Sequence, residues 1–272
     1  MSIVHHPRAV VTGGGGGLGR AFCVELASRG AKLIVSDLNL AAATATAKAC
    51  GAAAHPVACD VSKLADVEAL GHEADRLLGG VDLLVNNAGV AAAGRIGEVP
   101  IPDWQWALGV NLWGVIHGCH VFVPRLRQQH RGHILNVASA AGLISAPEMG
   151  PYNVSKAAVV ALSETLHAEL AADQVGVSVL CPTFFRTNIG NAARGPIDDK
   201  KRAMMDKLMD ASKLDADAVA RFALDQAAAG KLYLLPHADG RWAWRMKRLA
   251  PERFAVLMPK ALAMQAKRLG IE

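Results

Sequence analysis

Short apolar segments alternate with longer amphipathic or alanine-rich segments along the first 236 residues of the chain. The short segments are rich in β-branched residues, which predicts strands at residues 9–11, 32–36, 54–58, 81–85, 133–138, 177–180 and 232–235. The longer segments have the length of helices and lie at residues 18–29, 41–54, 63–78, 104–129 and 152–172. This alternation predicts an α/β fold in which helices cover both faces of a parallel sheet.

Two segments depart from this alternation. Residues 183–215 begin with TFFRTNIGNAARGPIDDKK and then become rich in Met, which predicts an excursion with one or two short helices. Its length favours a lid over a substrate, although a surface insertion packed by its own side chains fits the same pattern. Residues 237–272 form a basic amphipathic extension that Pro251 and Pro259 are expected to divide into short helices. The sequence thus predicts one domain over residues 1–236, lid included, and an extension.

Composition and cysteine usage narrow the class of protein. With 272 residues, 52% of them apolar, the chain can form one large core. We expect no signal peptide, because the N-terminal MSIVHHPRAVVTG lacks a basic segment followed by an apolar stretch. We also expect no membrane-spanning segment, because no uncharged apolar run approaches the ~20 residues that cross a bilayer. The five cysteines are odd in number and lack a CxxC pair, which favours a reducing, cytoplasmic setting.

The charge of the chain is unevenly distributed. Residues 237–272 hold eight of the 29 Lys and Arg but three of the 24 Asp and Glu, so they carry the whole net charge of +5. The balanced remainder gives no reason to expect a nucleic-acid partner. The extension could rest on an anionic membrane, or pack on another subunit or over the active site. We favour packing, because short interrupted helices bury little area against lipid.

The stretch VVTGGGGGLGR, residues 10–20, lies between a predicted strand and a predicted helix. Glycine there permits a tight turn and the close approach of a pyrophosphate to the helix N-terminus, whereas a flexible linker is rare in this position. Two fingerprints fit the run. Gly14, Gly16 and Gly19 satisfy G-x-G-x-x-G, while Gly13, Gly17 and Gly19 satisfy G-x-x-x-G-x-G.

Polar residues follow the next three predicted strands. Asp37 can accept hydrogen bonds from both hydroxyls of an adenosine ribose and would repel a 2′-phosphate, which favours NAD over NADP. Asp60 can accept from the adenine amino group, with Val61 against the ring, although either aspartate could instead be a helix N-cap. The NNAG stretch at residues 86–89 can tie strand ends together and leave room for a cofactor, or be an ordinary turn.

A candidate reactive group opens the helix at GPYNVSKAAV. Tyr152 and Lys156 share one helix face, so the ammonium is expected to lower the pKa of the phenol and make it a proton donor or acceptor. The other tyrosine, Tyr233, is expected in the core. Ser139 follows the fifth strand at the edge where ligands collect, and can bind the substrate oxygen. Asn111, unfavourable within a helix, can hold a water and relay protons through Lys156.

In order and spacing, these motifs resemble the short-chain dehydrogenase/reductase family over about residues 7–236. The resemblance rests on TGxxxGxG from Thr12, Asp60, NNAG, Asn111, Ser139 and YxxxK from Tyr152. It selects Gly13, Gly17 and Gly19 as the meaningful glycines and leaves Gly14 to Gly16 as a variable spacer. It implies a single Rossmann-type, doubly wound sheet of seven strands in the order 3-2-1-4-5-6-7, and a homo-oligomer, either tetramer or dimer.

The resemblance also implies hydride transfer between the nicotinamide of NAD(H) and a secondary alcohol or ketone. Tyr152 would exchange the proton, Ser139 would stabilise the oxygen, Lys156 would also grip the nicotinamide ribose, and Asn111 completes the catalytic set. The residues expected to bind the cofactor are Thr12, Gly13, Gly17, Leu18, Gly19, Asp37, Asp60, Val61, Asn87, Ala88, Gly89, Tyr152, Lys156, Pro182 and Thr187.

One departure from the family lies after the sixth strand, where Cys181-Pro182-Thr183 replaces the usual Pro-Gly and Thr183 is expected to narrow the space beside the nicotinamide. Phe184, Phe185 and the Met-rich lid favour an apolar, sizeable substrate. We expect no metal site, because no carboxylate lies near the cluster of His117, Cys119 and His120. Two alternatives stay open: an NAD/NADH sensor without turnover, and a lipid-, retinoid- or steroid-type dehydrogenase anchored to a membrane surface by the extension.

Overall fold

The computed structural model describes residues 6–190, 193–196 and 199–268. Seven parallel strands form one sheet in the order β3-β2-β1-β4-β5-β6-β7, which confirms the predicted fold class. The strands are β1 (Arg8–Thr12), β2 (Lys32–Asp37), β3 (Ala54–Ala58), β4 (Leu83–Asn86), β5 (Gly132–Val137), β6 (Val175–Leu180) and β7 (Tyr233–Leu234). The predicted seventh strand, residues 232–235, is therefore two residues long.

Helices cover both faces of this sheet. They are α1 (Gly17–Ser28), α2 (Leu40–Cys50), α3 (Leu64–Leu78), α4 (Ile101–Leu108), α5 (Gly114–Gln129), α6 (Ala141–Ile144), α7 (Gly150–Glu169), α8 (Asp199–Asp210), α9 (Ala216–Ala228), α10 (Ala238–Leu249) and α11 (Pro251–Arg268). On one face, Phe22 and Leu26 of α1 pack with Leu224 of α9. On the other, Leu70 of α3 packs with Phe122 of α5. Both layers bury apolar side chains against the strands, which explains the near-continuous apolar strand sequences.

The long helix predicted at residues 104–129 differs from expectation in two ways. It begins three residues earlier, where Pro102 suits the first turn, and a π-helical segment (Gly109–Trp113) joins α4 to α5. Among the described residues, the run Ile101–Gln129 has the length and composition of a membrane span, with a mean hydropathy of 1.3. Its α5 part packs on α3, β4 and β5, so it is a core helix of this fold.

The described part of the predicted lid, residues 183–215, lies against the loop that follows β4. Ala92 and Arg194 form an isolated β-bridge, and the Arg194 guanidinium lies 4.1 Å from the centre of the Trp106 ring. Helix α8 then contributes a buried Met209. The segment therefore packs on the body of the domain as well as on itself.

The extension forms two helices, α10 and α11, which pack against each other. Pro251 begins α11, as its missing N–H allows. The expected break at Pro259 is wrong, because Pro259 lies inside α11. A proline there removes one helical hydrogen bond, to the carbonyl of the exposed Ala255, and solvent can satisfy that carbonyl.

Candidate functional site

The glycine loop connects β1 to α1 at the carboxyl edge of the sheet. No side chain caps the first turn of α1 at Gly16, so this helix end presents backbone N–H groups. A Cβ on Gly19 would lie 1.9 Å from the Gly13 oxygen, and a Cβ on Gly13, whose φ is +63°, would lie 2.8 Å from the Ala88 Cα. A side chain at either position would therefore collide with backbone. The loop fits the diphosphate of a dinucleotide, which needs close backbone approach and free N–H donors.

Gly14 and Gly15 have packing constraints that their expected role as a variable spacer did not include. A Cβ on Gly14 would lie 2.8 Å from Cγ1 of the buried Val35. A Cβ on Gly15 would lie 2.7 Å from the Ala42 Cβ and 2.9 Å from Oδ2 of Asp37. The reason is that the loop packs directly on the end of β2 and the start of α2.

We expect Gly15→Ala to lower the free energy of unfolding by about 1–3 kcal/mol and to weaken NAD binding, because the added methyl group overpacks this contact. Gly109→Ala is the matched control. Gly109 has helical dihedral angles, and its Cβ would meet only the Ser62 Cβ at 3.8 Å. Urea unfolding and NADH titration measure both effects. Wild-type stability in Gly15→Ala would contradict the assigned packing.

Asp37 at the end of β2 holds the glycine loop. Its Oδ2 accepts a hydrogen bond from the Gly15 N–H at 2.9 Å, and its Oδ1 accepts from the Asn39 N–H at 2.9 Å. The N-cap of α2 is Asn39, whose side chain accepts from the Ala42 N–H. The N-cap alternative for Asp37 is therefore wrong. Its half-buried carboxylate lies between the glycine loop and α2. In a dinucleotide the adenosine ribose is attached to the diphosphate, so a diphosphate on the glycine loop would bring the ribose to this carboxylate.

Asp60 follows β3 and is likewise not a helix cap, since the N-cap position of α3 belongs to Lys63. Its Oδ1 accepts from the backbone N–H and the hydroxyl of Ser62, and its Oδ2 lies 3.5 Å from Nζ of Lys63. Burial acts against the charge, but these bonds hold the pKa of Asp60 below its ordinary value. The adjacent Val61 is buried and its carbonyl contacts the His117 ring at 2.9 Å. The adenine contacts of Asp60 and Val61 stay a prediction.

The NNAG stretch at the end of β4 ties three parts of the edge together. Asn86 donates to Oδ1 of Asn136 on β5 at 2.9 Å. Asn87 donates to the carbonyls of Thr12 and Gly13 at 2.9 and 3.1 Å, while the Thr12 hydroxyl accepts from the backbone N–H groups of Asn87 and Ala88. These bonds fix the glycine loop to the neighbouring strand end, so the stretch is more than an ordinary turn.

Ser139, Tyr152 and Lys156 meet at the carboxyl end of β5. Tyr152 lies in the first turn of α7, and its phenol lies beside the Ser139 side chain. The Lys156 Nζ lies 5.7 Å from the centre of the Tyr152 ring and donates to the Val137 carbonyl at 2.8 Å. A Cβ on Gly89 would lie 3.5 Å from this Nζ, so glycine leaves space beside the ammonium. The three side chains converge as the catalytic role requires.

The expected lowering of the Tyr152 pKa is wrong for the protein by itself. Burial raises the pKa of the phenol above its ordinary value, and the hydrogen bond to Ser139 only opposes that effect. Burial also lowers the pKa of Lys156 to about 8. Desolvation is thus the largest influence on both pKa values, while the ammonium lies over the ring and donates to the Val137 carbonyl.

Asn111 occupies the π-helical segment, a feature that often marks functional sites. Its side chain accepts from the Val90 N–H at 2.8 Å and donates to the Val90 carbonyl at 2.9 Å and the Ser155 hydroxyl at 3.1 Å. Ser155 in turn donates to the Tyr152 carbonyl at 2.8 Å. The side chain thus braces the loop after β4 against α7. The water-holding role of Asn111 stays a prediction.

The segment after β6 reaches the site through Pro182, whose carbonyl accepts from the Ala140 N–H at 2.9 Å. The side chain of Thr183, expected to face the nicotinamide, instead turns toward the start of α10. Its hydroxyl lies 3.4 Å from Oδ1 of Asp239, and its methyl group fills the space beside Gly240. Further along, Thr187 is half-buried and accepts from the Ile189 N–H at 3.5 Å.

A contact that the sequence did not indicate locks this segment to the extension. The Thr183 N–H donates to Nδ1 of the buried His237 at 3.3 Å. Lys247 of α10 donates to the Leu143 carbonyl of α6, which follows Ser139. Helix α10 therefore holds both loops that flank the Tyr152 phenol. The one sequence signal for this contact was Gly240 near the start of α10, since a glycine there permits the close approach of Thr183.

The remaining candidates have structural partners. His117 lies against the Val61 carbonyl and Trp113, and Cys119 lies 3.7 Å from Nδ2 of Asn86. No group of three or more His, Cys, Asp and Glu among the described residues could hold a metal ion. Cys181 is buried, as expected, and burial raises the pKa of its thiol to about 12. Tyr233 packs against the core, as expected, but is only half-buried: its ring lies tilted against Trp244, and its hydroxyl donates to Glu164.

Sequence comparison decides the family. The profile of the short chain dehydrogenase family matches residues 7–197, which include the glycine loop and Lys156. The chain is a short-chain dehydrogenase/reductase. It therefore belongs to a family of oxidoreductases with nicotinamide cofactors, as the motifs implied.

Several known proteins are similar to most of the chain. The probable oxidoreductase EphD of Mycobacterium tuberculosis is 34% identical over 94% of this chain, which spans 44% of that relative's length. D-threitol dehydrogenase of Mycolicibacterium smegmatis is 33% identical over 81% of this chain and 86% of its own. A family member from Burkholderia phymatum, solved in complex with NAD, has a TM-score of 0.87 and 37% identity, covering 93% of this chain and 96% of the other.

Proposed function

We propose that the protein transfers a hydride between NAD(H) and an apolar secondary alcohol or ketone, with Tyr152 as the general acid and base. The observation that carries this proposal is the placement of the Tyr152 phenol beside the Ser139 side chain, with the Lys156 ammonium 5.7 Å from the centre of its ring. Similar proteins named as dehydrogenases, and one solved with NAD, support the reaction type and the cofactor. A screen of secondary alcohols and ketones, followed by NADH absorbance, tests it directly.

The residues divide the work by position. The glycine loop and Asp37 would hold the adenosine half of the cofactor, while Pro182, Thr187 and Lys156 would hold the nicotinamide half. When bound, the cofactor supplies or accepts the hydride at its nicotinamide ring. In the reduction direction, the Tyr152 phenol gives its proton to the substrate oxygen as the carbonyl carbon receives the hydride. Ser139 donates a hydrogen bond to the same oxygen, and Lys156 returns a proton toward the phenolate.

During turnover, Lys156 would also favour the charged form of Tyr152. A proton leaves Tyr152 more easily when a cation faces the phenolate, and the buried Lys156 is the cation nearest to the ring. The Val137 carbonyl already holds this ammonium at a fixed position. The side chain is thus ready to pair with a phenolate that forms during alcohol oxidation.

The preference for NAD rests on Asp37. We expect Asp37→Arg to raise the ratio of kcat/KM for NADP over NAD by about 100-fold or more, because it replaces a charge that repels the 2′-phosphate by one that attracts it. The Asp37 carboxylate also holds the Gly15 N–H, so absolute rates with both cofactors are expected to fall. The NADP/NAD ratio of kcat/KM reports on the contact of Asp37 with the ribose, whereas the absolute rates also report on its contact with the Gly15 N–H.

Asp37→Asn is the control for this prediction. It keeps an oxygen acceptor for Gly15 and removes only the charge, so the ratio is expected to change by a smaller factor. Steady-state kinetics with both cofactors measure it. An unchanged ratio in Asp37→Arg would contradict the assignment of Asp37 to the ribose.

We also propose a homo-oligomer in the cytoplasm. Ile101 and Trp113 on the long helix, and Val154 on α7, are exposed apolar side chains suited to subunit contacts. All five cysteines are unpaired, which suits a reducing compartment. A single-chain mass by light scattering would contradict the oligomer. The sensor alternative is less well supported, because binding alone requires neither Ser139 nor the Tyr152 phenol.

A further inference from the structure

Helix α10 has an inner side that is fixed to the domain. The Trp244 and Tyr233 rings contact each other in a tilted arrangement with centres 5.0 Å apart, and Lys247 donates to the Leu143 carbonyl at 2.7 Å. Arg241 donates to the Leu235 carbonyl at 2.8 Å. These contacts fix the orientation of α10 on the domain. The side of α10 opposite to these contacts therefore faces outward.

The outer side of α10 combines exposed apolar and basic residues. Trp242 is 65% exposed and Leu249 is 81% exposed, and the intervening turn presents Arg245 and Met246. Positions 242, 245, 246 and 249 follow the i, i+3, i+4, i+7 spacing of one helix face. The acid at the start of α10, Asp239, faces Thr183.

Helix α11 repeats this pattern. Arg253, Val256, Leu257, Lys260 and Met264 lie at i, i+3, i+4, i+7 and i+11, and therefore form one stripe. The three apolar members are 64%, 59% and 60% exposed in chain order. The half-buried apolar side chains of α11, at positions 254 and 258, lie on the other side. A purely solvated face would not place large apolar residues between the cations.

We propose that these two stripes, together called the tail surface, dock the protein on an anionic lipid membrane. Basic residues interleaved with Leu, Val, Met and Trp match a charged headgroup layer above acyl chains. The extension carries the whole net charge of +5, which supplies the attraction. A two-fold contact between copies of the α11 stripe would instead bring cations together, which is unfavourable.

The continuity of α11 favours the membrane-binding alternative over the packing alternative. Packing was favoured on the ground that Pro259 would break the extension into short helices, and α11 runs through Pro259 for 18 residues. A helix of that length extends about 27 Å and can lie along a membrane surface. The inner side of α10 does pack near the site, as expected, but the tail surface remains outside that packing.

Docking would also affect the choice of substrate, and this consequence rests on the proposed function. Helix α10 connects the tail surface to Thr183 and to the loop after Ser139. A membrane-bound protein would therefore hold its site close to alcohols and ketones dissolved in lipid. Membrane binding itself is measured without turnover, so the two proposals fail separately.

The test uses the full chain with NADH and vesicles of phosphatidylcholine, alone or mixed with phosphatidylglycerol. We expect the protein to sediment with the anionic vesicles only, and less at high salt. Arg253→Gln with Lys260→Gln is expected to weaken partitioning about 25-fold, since each removed cation costs about fivefold. Lys32→Gln with Lys48→Gln, which removes the same charge from β2 and α2, is the matched control and is expected to bind within about threefold of wild type.

A second variant separates the apolar contribution from charge. Val256→Ser with Leu257→Ser keeps the net charge and is expected to weaken partitioning at least about tenfold. Circular dichroism and NADH titration, both unchanged, show that the variants are folded. Equal sedimentation with neutral and anionic vesicles, or equal loss in the Lys32/Lys48 control, would overturn the proposal. So would absence of vesicle binding together with a lower oligomeric mass in the Val256/Leu257 variant, which would assign the surface to a second copy.

Discussion

Tyr152→Phe is expected to reduce kcat by about 10²–10⁴-fold and to leave the affinity for NADH within about twofold. The variant keeps the ring beside Lys156 and removes only the hydroxyl that lies beside Ser139. Proton transfer to the substrate oxygen is thereby lost, while the glycine loop and Asp37 are untouched. Steady-state kinetics on the substrate found by the screen, with NADH titration by fluorescence, measure both effects.

Tyr233→Phe provides the matched control, since the chain has two tyrosines. It removes a hydroxyl that donates to Glu164 and keeps the ring against Trp244. We expect its turnover to stay within about twofold and its stability to fall by about 1 kcal/mol. Turnover near the wild-type value in Tyr152→Phe would remove Tyr152 as the acid and base. Loss of NADH binding in that variant would assign it a structural role instead.

Lys156→Met is expected to reduce kcat at least about 100-fold and, at pH 7, to make the cofactor-free protein more stable by about 1–2 kcal/mol. The wild-type ammonium is buried, and burial lowers its pKa from 10.5 to about 8. Met fills a similar volume without a charge to desolvate, although it leaves the Val137 carbonyl without its donor. A site that costs stability in this way is typical of function.

The pH dependence separates this effect from improved packing. Between pH 8 and 10.5 the unfolded chain binds more protons at Lys156 than the folded protein does, so wild-type stability gains a contribution as pH rises. Lys156→Met lacks that contribution, and its advantage is expected to shrink across the same window. Urea unfolding at several pH values measures it, with the exposed Lys48→Met as control. A pH-independent advantage would contradict the assigned cause.

The strand positions illustrate how far the sequence alone reaches. Apolar strands such as KLIVS could be recognised because a parallel sheet buried on both faces requires them, and β2 was located to within one residue. The helix from Ile101 to Gln129 was located less well, since its apolar pattern does not reveal a π-helical segment. Proline at 259 suggested a break that α11 does not contain, because its exposed surroundings tolerate the lost hydrogen bond.

The candidate site shows a similar division. Residue type and spacing were enough to select Ser139, Tyr152 and Lys156, because proton transfer needs those groups on neighbouring elements. Spacing could not show that Asp37 holds the Gly15 N–H, nor that Gly14 and Gly15 are closely packed. Those contacts join segments whose distance is set only when the loop packs against β2.

The sequence by itself determined the family, the order of secondary structure and the chemistry of the proposed reaction, since these depend on local pattern and residue type. Only the tertiary structure decided the protonation of the site, because the pKa values of Tyr152 and Lys156 follow burial that distant segments create. It also decided which side of helix α10 is outward. The contacts of Thr183 with His237 and Asp239 fix one side of α10 and leave the tail surface outward.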